Sequence, residues 1–294
     1  MNLLIRKLTE MDDIYKILEL MKIVWQMDDR EVAASFEMKA FAQFGLLLGA
    51  YDIEKDTKKP IGFLYVVNKF PDIHYSHMMG IDPTYQGKNV GFILKKHHRE
   101  LALKATNPII NLVQWTVDPL LSINANLNFR KLGVICNTYE VNFYGTSENV
   151  GLYPSLPTDR ILVNWMIRSS RVEKRYSDDY SGQLPWKTAT ELLESIPSFK
   201  NNTPTKNLLN PPDESELGLL GKHDELALEV PNEFTKLSRT HFEWALNWRK
   251  TTRKIFIRSF EDGYFLVDFI SFRESNNKRR NFYILTRKVD DYQY

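Results

Sequence analysis

The first 168 residues alternate between two hydrophobic periods, and this alternation predicts strands interleaved with helices. Residues 12–25 carry apolar side chains at steps of three and four, which is the spacing of one helix face, and a second helix is predicted over about residues 31–43. Two more helices are predicted, one from Val90, with an apolar face through His97 to Leu101, and one over residues 122–132. Strands are predicted over residues 2–8, 46–51, 61–67, 74–81, 109–115, 134–144 and 161–167.

The remaining chain separates into a polar stretch and a second ordered block. Residues 169–224 are rich in charge, Pro and Asn, which favours a connector with little regular structure apart from a helix near residues 189–195. The block after it carries strand patterns at 226–230, 264–272 and 280–287, and one long amphipathic helix through residues 234–248. We therefore expect a domain at 1–168, a connector at 169–224, and an extension at 225–294 that packs on the domain or completes it.

Composition and charge narrow the class of protein. The chain has 43% hydrophobic and 26% charged residues and a formal net charge of +2, which is ordinary for a globular protein and gives no electrostatic reason to expect nucleic acid as a partner. No apolar run approaches the roughly 20 residues that span a bilayer. A single cysteine, Cys136, stands in an apolar stretch, which predicts a buried thiol and a reducing compartment. We expect a cytoplasmic protein with no membrane partner.

The strongest chemical signal is a turn after the fourth predicted strand. That strand ends at Asp82-Pro83, and the run Gln86-Gly87-Lys88-Asn89-Val90-Gly91 then opens a helix. Backbone N–H groups at a helix N-terminus, with the positive end of the helix dipole, form an anion site, and Lys88 adds a charge. A plain strand-to-helix connection is the alternative.

With this spacing the sequence resembles the GNAT superfamily of N-acyltransferases, whose pyrophosphate loop reads Gln/Arg-x-x-Gly-x-Gly/Ala after a strand that ends in an apolar-x-Pro triplet. Here the triplet is Ile81-Asp82-Pro83, and Asn89 replaces the middle glycine. Asparagine is the non-glycine residue that best tolerates a left-handed backbone, so the loop can survive the change. A second stretch, Asn124 to Gly133, resembles a later helix of the family, and the resemblance covers roughly residues 1–168.

The resemblance implies a fold, a co-substrate and a reaction. The fold is an α/β (α+β) one, with a mixed, mostly antiparallel central sheet flanked by helices. The co-substrate is acetyl-CoA or another acyl-CoA, without a metal, and a neutral amine attacks the thioester directly. Its pyrophosphate is held by Gln86, Gly87, Lys88, Asn89, Val90 and Gly91, and its acyl carbonyl by backbone N–H groups of Met79, Gly80 and Ile81. Asn124 either reaches the pantetheine arm or caps the helix.

The resemblance also implies a proton acceptor and a proton donor. His77 is the first candidate for the base, because histidine titrates near neutral pH; a packed core histidine is the alternative. Strand alternation places His77 and Met79 on one face and Ser76 and Met78 on the other. The tyrosine expected as acid is Phe129 in this chain.

Three further residues are candidates for the proton-transfer steps. Tyr139 and Tyr144, both predicted on the following strand, are possible replacements for the missing acid, and packed tyrosines are the alternative. Asp118, at the end of the strand that carries Trp115, either orients the amine or acts as base, or it only stops the strand.

The acceptor is the least determined part of the prediction. Trp115 and Arg160 are the residues expected to contact it, with Arg160 able to bind a carboxylate and Arg249 or Arg253 as more distant options. A run from Trp115 to Leu120 and the pair Trp248-Arg249 resemble a GNAT subgroup in which some members are thought to succinylate amino acids. Three functions stay open: transfer to a small amine, transfer to a protein or peptide amine, and silent acyl-CoA binding. The extension either covers the acceptor cleft or forms a homodimer interface.

Overall fold

A computed structural model describes residues 1–26, 34–145, 155–180, 182–199 and 209–289. Its strands are β1 (Leu3–Lys7), β2 (Leu46–Asp52), β3 (Gly62–Phe70), β4 (Ile73–Ile81), β5 (Leu112–Val117), β6 (Ile135–Glu140), β7 (Arg160–Met166), β8 (Ser198–Phe199), β9 (Glu225–Glu229), β10 (Phe265–Arg273) and β11 (Arg279–Thr286). Its α-helices are α1 (Met11–Trp25), α2 (Ser35–Phe44), α3 (Val90–Leu103), α4 (Ser122–Ala125), α5 (Ser170–Lys174), α6 (Trp186–Ser195), α7 (Phe234–Thr240) and α8 (Phe242–Glu261). Short 3-10 turns span Pro83–Tyr85 and Glu214–Leu219, and a π-helical segment, Asn126–Lys131, continues α4.

The chain divides into two compact units. The first comprises Met1–Trp115 with Met166–Arg168, and the second comprises Thr116–Trp165 with Ser169–Tyr294. The predicted partition into residues 1–168, 169–224 and 225–294 stays a prediction.

The first unit is a sheet in the order β1-β2-β3-β4-β5 with helices on both faces. The first four strands are antiparallel neighbours, and β5 runs parallel to β4. Alternation along β2 sends Leu47 into an apolar cluster with α1 and α2 on one face, and Leu48 into a cluster with α3 on the other. A sheet whose two faces are both covered by helices explains why its strands are apolar on both sides.

The second unit holds the strand order β7-β6-β10-β11-β9-β8, in which only the β8–β9 neighbours among these described strands are parallel. Cys136 on β6 is fully buried, and burial raises the pKa of its thiol to about 12, so the predicted structural thiol is confirmed. The expected fold class, a mixed and mostly antiparallel sheet with flanking helices, is confirmed as well.

Four sequence predictions about these elements need correction. The strand predicted to reach Tyr144 ends at Glu140, because the chain turns over residues 141–144 with a left-handed Asn142. The single long helix predicted through residues 234–248 is two helices, broken at His241, whose φ of −145° and ψ of 69° lie outside the helical region.

The other two corrections concern the connector and α3. The connector contains α5, β8 and the full length of α6, so it has more regular structure than predicted. Residues 200–208 of the connector lie outside the described residues. The same holds for residues 31–33 of the second predicted helix. On α3 the buried side chains include Lys95, His98 and Ala102, whereas His97 and Leu101 of the predicted apolar face are partly exposed. In the described ranges no helix is long and apolar enough to cross a membrane.

Candidate functional site

The turn between β4 and α3 is held by a side-chain cap and a buried tyrosine. Asp82 accepts hydrogen bonds from the Thr84 backbone N–H at 2.9 Å and from its hydroxyl at 2.6 Å, which starts the 3-10 turn after the strand. Tyr85 is buried at the end of that turn and donates from its hydroxyl to Asp52 Oδ2 at 3.2 Å. These contacts fix the point at which the chain leaves the sheet for the loop.

The loop itself contains two left-handed residues. Gly87 has a φ of +78° and Asn89 a φ of +64°, and α3 begins directly after Asn89. Asn89 therefore adopts the conformation that its place in the glycine pattern requires. Among the described residues no side chain caps this helix N-terminus, which leaves the positive end of the helix dipole available to an anion.

Space and charge at the loop fit an anionic group. A Cβ added at Gly87 would meet no atom within 4 Å, so the backbone is open to a ligand there. The ammonium groups of Lys88 and Lys55 lie 4.8 Å and 5.3 Å from the centroid of the Tyr85 ring, which brings two positive charges beside the loop. Gln86 donates from its side chain to the Ile81 carbonyl at 3.3 Å, a bond that ties the loop back to β4.

The pairing between the parallel strands β4 and β5 ends before either strand does. Pairing of β4 with β5 covers three positions and stops at Tyr75 opposite Gln114, whereas β4 continues to pair with β3 up to Ile81. Within the described part of the first unit, the edge of β4 that faces β5 has no strand partner beyond Tyr75. The backbone of Met79, Gly80 and Ile81 is therefore not paired on that side.

A β-bulge at His77 changes which face the later β4 residues present. Tyr65 pairs with Met78 and the next residue of β3, Val66, pairs with Ser76, so His77 is the extra residue. Ser76 contacts Lys95 of α3 and Met79 packs in the α3 cluster, whereas Met78 packs in the α1–α2 cluster. The predicted grouping of His77 with Met79 and of Ser76 with Met78 is wrong, because the bulge shifts the alternation by one residue.

His77 is exposed beside two tyrosines. Its ring centroid lies 5.7 Å from that of Tyr65 and 6.3 Å from that of Tyr75. Partial desolvation lowers the pKa of His77, which favours the neutral imidazole that a base requires. Its role as base stays a prediction.

In the second unit Asp118 is enclosed by arginines. Arg249 donates to both carboxylate oxygens, at 2.8 Å and 2.6 Å, and both residues are buried. Arg160 lies 3.8 Å from the same carboxylate, and the Leu120 N–H donates to it at 2.9 Å. Burial alone would raise the pKa of Asp118, but the arginine charges and these hydrogen bonds outweigh it and hold that pKa below its ordinary value. The structure thus shows an ion-paired carboxylate.

Tyr139 is also engaged within the second unit. Its hydroxyl donates to Asp159 Oδ2 at 2.8 Å, and Arg253 donates to both oxygens of Asp159 at 2.8 Å. Burial and the charge of Asp159 raise the pKa of Tyr139, which makes it a weaker proton donor than a free tyrosine. These contacts favour the packed alternative for Tyr139, while Tyr144 lies in the turn with its ring 5.0 Å from the Arg160 guanidinium.

Among the other predicted site residues, Phe129 and Trp115 are buried and Asn124 is exposed. Phe129 is fully buried in the π-helical segment, where its ring meets Tyr283 edge-on at 5.4 Å. Asn124 is exposed on α4, and the residue at the N-cap of that helix is Leu121, so the capping alternative for Asn124 is wrong. Trp115, which was expected to contact the acceptor, is buried with the Lys95 ammonium 3.4 Å from its ring centroid.

A cluster of buried polar side chains was missed from the sequence. Lys95 and His98 of α3 are buried with Ser76 of β4, and half-buried His74 of β4 contacts His98. The available signal was spacing, because His98 continues the stripe of Leu94 at a step of four. The described residues contain no group of three or more His, Cys, Asp or Glu that could hold a metal ion.

No protein-family model matches the chain, and no curated protein matches it. Several solved structures are similar to part of it. The Escherichia coli ribosomal-protein-S18-alanine N-acetyltransferase has 17% identity and a TM-score of 0.43 over 56% of this chain and 94% of its own. A Desulfovibrio desulfuricans protein assigned as an acetyltransferase of the GNAT family has 12% identity and a TM-score of 0.44 over 56% of this chain and 99% of its own. A Staphylococcus aureus N-acetyltransferase has 14% identity and a TM-score of 0.44 over 57% of this chain and 100% of its own.

Each of these similarities covers slightly more than half of this chain at 12–17% identity. Likeness at this level of identity does not assign an activity, a substrate or a partner to the chain.

Proposed function

We propose that the protein is an acyl-CoA-dependent N-acyltransferase that carries an acetyl or succinyl group from a CoA thioester to a primary amine. The observation that carries the proposal is the loop of the first unit. Its two left-handed residues, Gly87 and Asn89, open α3 after the pairing of β4 with β5 has ended. A helix N-terminus with an open glycine backbone and nearby lysines suits a pyrophosphate, and the unpaired edge of β4 suits the extended arm of a thioester.

In the proposed reaction the amine attacks the thioester carbonyl directly. Backbone N–H groups of residues 79–81 stabilise the oxyanion, since β5 does not pair with this stretch of β4. His77 is the proposed base, supported by its exposed position and lowered pKa. The chemistry then needs no covalent enzyme intermediate.

The second unit supports an acceptor that carries a negative charge, such as an amino acid. Its cluster holds three guanidinium groups against two carboxylates, and Arg160 and Arg253 are its partly exposed members, with the Arg160 guanidinium over the Tyr144 ring. A guanidinium can bind a carboxylate in a bidentate manner. We assign Asp118 to positioning Arg160 and Arg249, because its oxygens are already engaged by arginine donors.

A catalytically silent acyl-CoA-binding protein is the second candidate. The buried Phe129 favours it, because a phenyl ring offers no proton to a leaving thiolate. Under this proposal the loop binds CoA and no acyl group is transferred.

The deciding experiment measures thiol release from acetyl-CoA and succinyl-CoA against a panel of amino acids, polyamines and short peptides, with CoA affinity measured in parallel by calorimetry. Turnover with amino acids supports a small amine as acceptor. Turnover with peptides alone contradicts a small amine and indicates a peptide or protein acceptor. CoA binding without thiol release on any amine leaves only the silent binding protein. Absence of CoA binding refutes both.

A further inference from the structure

A cleft in the second unit is lined mainly by basic side chains. Its volume is about 490 Å³, which lies within the range of small-molecule sites. Four of the side chains that line it are basic, and one, Glu225, is acidic. The basic side chains are Arg171, Lys174, Arg175 and Lys288. The cleft therefore favours a ligand of negative charge.

Three of the basic side chains share one side of α5. Arg171, Lys174 and Arg175 are separated by three and four positions, which places them next to one another on a helical turn. The helix ends at Lys174, and Arg175 keeps an α-helical backbone as its C-cap. Like charges at this spacing repel one another and weaken a helix. A bound anion would remove that repulsion.

The two arginines of the cleft contact the same glycine, Gly133. Arg171 donates from Nε to the Gly133 carbonyl at 3.1 Å and from Nη2 to the Val267 carbonyl. A Cβ added at Gly133 would meet Cγ of Arg175 at 3.0 Å, so the Arg175 side chain passes directly over this glycine. These contacts hold both arginine side chains in place within the fold. Preorganised groups of this kind lower the cost of binding a ligand.

The positive charge around the cleft is only partly compensated by the protein. Arg175 lies 3.6 Å from Asp268 Oδ2, an oxygen that Arg130 already binds at 2.7 Å. One carboxylate thus serves two guanidinium groups. Lys174 is exposed and pairs with no carboxylate among the described residues. A ligand anion can supply the charge that is missing here.

The basic groups come from two parts of the chain, which favours a tetrahedral anion. Lys288 follows β11 and also pairs with Asp224, whereas Lys174 and the two arginines belong to α5 and its C-cap. A planar carboxylate is satisfied by one guanidinium in the plane of its two oxygens, whereas a phosphate group offers three oxygens that point in different directions. The rest of the lining includes Val267 and the Tyr180 ring, which suit an organic part of the ligand.

We propose that this cleft binds a small phosphorylated molecule, with Arg171, Arg175 and the two lysines as donors to its phosphate oxygens. The site is distinct from the proposed CoA loop, because none of its lining residues lies in β4 or α3. It therefore does not depend on the proposed acyl transfer. The bound ligand contacts both α5 and the end of β11, and it stabilises the folded second unit because the unfolded chain lacks the cleft.

Calorimetric titration of the full-length chain with inorganic pyrophosphate tests the site. Every protein in the test carries Gly91→Asp, so that the α3 loop, itself a candidate phosphate site, contributes little to the signal. In this background pyrophosphate should bind at about one site per chain and raise Tm. Lys174→Met combined with Lys288→Met should lower the affinity by about tenfold or more, because two donors to the phosphate are lost. Glu225→Gln should raise the affinity by about threefold or more, because it removes the acidic side chain from the lining.

Matched controls make the same changes of charge elsewhere in the second unit. Lys250→Met with Lys254→Met, and separately Glu243→Gln, alter exposed residues of α8 that do not line the cleft; both should change the affinity by less than about twofold. Circular dichroism confirms that each variant is folded. A lysine control that loses as much affinity as the cleft variant indicates a general charge effect and overturns the site. Absence of pyrophosphate binding overturns it too, and so does succinate bound as tightly as pyrophosphate, because the phosphate assignment then fails.

Discussion

Replacement of Asp118 by asparagine should strongly lower the free energy of unfolding, because it breaks a buried ion pair from one side. Arg249 is 0% exposed, and its two terminal nitrogens donate to Asp118 at 2.8 Å and 2.6 Å. Its Nε has no hydrogen-bond partner among the described residues, and the nearby carboxylate of Asp159 is already bound by Arg253, so the guanidinium would lose its direct counter-charge with Asp118. Breaking a buried pair from one side costs about 3–5 kcal/mol.

The asparagine keeps one acceptor oxygen, which offsets about 1 kcal/mol of that cost. We therefore expect Asp118→Asn to lower the free energy of unfolding by about 3 kcal/mol at pH 7, from a total that is typically 5–15 kcal/mol. Adding Arg249→Met should recover part of the loss, because the uncompensated charge is then absent. A double-mutant cycle gives the coupling energy directly.

Urea unfolding followed by tryptophan fluorescence and circular dichroism measures the effect, provided both signals change together. Glu261→Gln is the control, because Glu261 forms an exposed pair with Arg258 at 3.4 Å and should change stability by less than about 1 kcal/mol. A loss below about 1 kcal/mol for Asp118→Asn would refute the reasoning.

The pH dependence of the same variant has a defined sign. The folded-state pKa of Asp118 is lowered, so its contribution is complete above its unfolded pKa of about 3.9 and disappears as pH falls through the folded value. The difference between wild type and Asp118→Asn should be constant from pH 5 to pH 8 and shrink below about pH 4. Loss of turnover in this variant must be measured where it is still folded.

Three further predictions test the first unit. In the wild type, the unfolding free energy should rise by up to about 1.4 kcal/mol per pH unit between the lowered folded-state pKa of Lys95 and its unfolded pKa of about 10.4, because only the unfolded state is protonated there. Lys95→Met should lack this rise. Parallel curves of unfolding free energy against pH for the two proteins would contradict the prediction. Gly80→Ala places a Cβ 2.5 Å from the Phe63 ring and should cost about 1–3 kcal/mol in urea unfolding, a cost that Phe63→Leu should relieve. Gly91→Asp should weaken CoA binding at least tenfold by calorimetry through charge repulsion at the α3 N-terminus, whereas Gly218→Asp should not; equal affinities would remove the loop from the site.

Local patterns were enough to predict most strands, the turn after β4 and the left-handed Asn89. These features depend on side-chain period and on backbone preferences that are written within a few residues. The break at His241 was not predictable in the same way, because it occurs in a continuous apolar stripe without Gly or Pro.

The contacts that define the candidate site depend on residues far apart in the chain. Arg249 and Asp118 are separated by 131 positions, and no local pattern pairs them. The bulge at His77 is a property of the register with β3, which a single strand does not reveal. Lysine is rarely buried, so no sequence pattern predicts the buried position of Lys95, which only tertiary packing produces.

The bulge at His77 adds one residue to β4 without changing how the rest of the strand meets β3. Ser76 pairs with Val66 before the bulge and Met78 pairs with Tyr65 after it, and these two positions of β3 are consecutive. Deleting position 77 would therefore leave Met78, Met79 and Gly80 opposite their present partners on β3 and on their present faces. Only the exposed imidazole would be lost. A chain of this type can thus gain or lose a histidine at this point by a one-residue insertion or deletion, with the same sheet and the same helices around it.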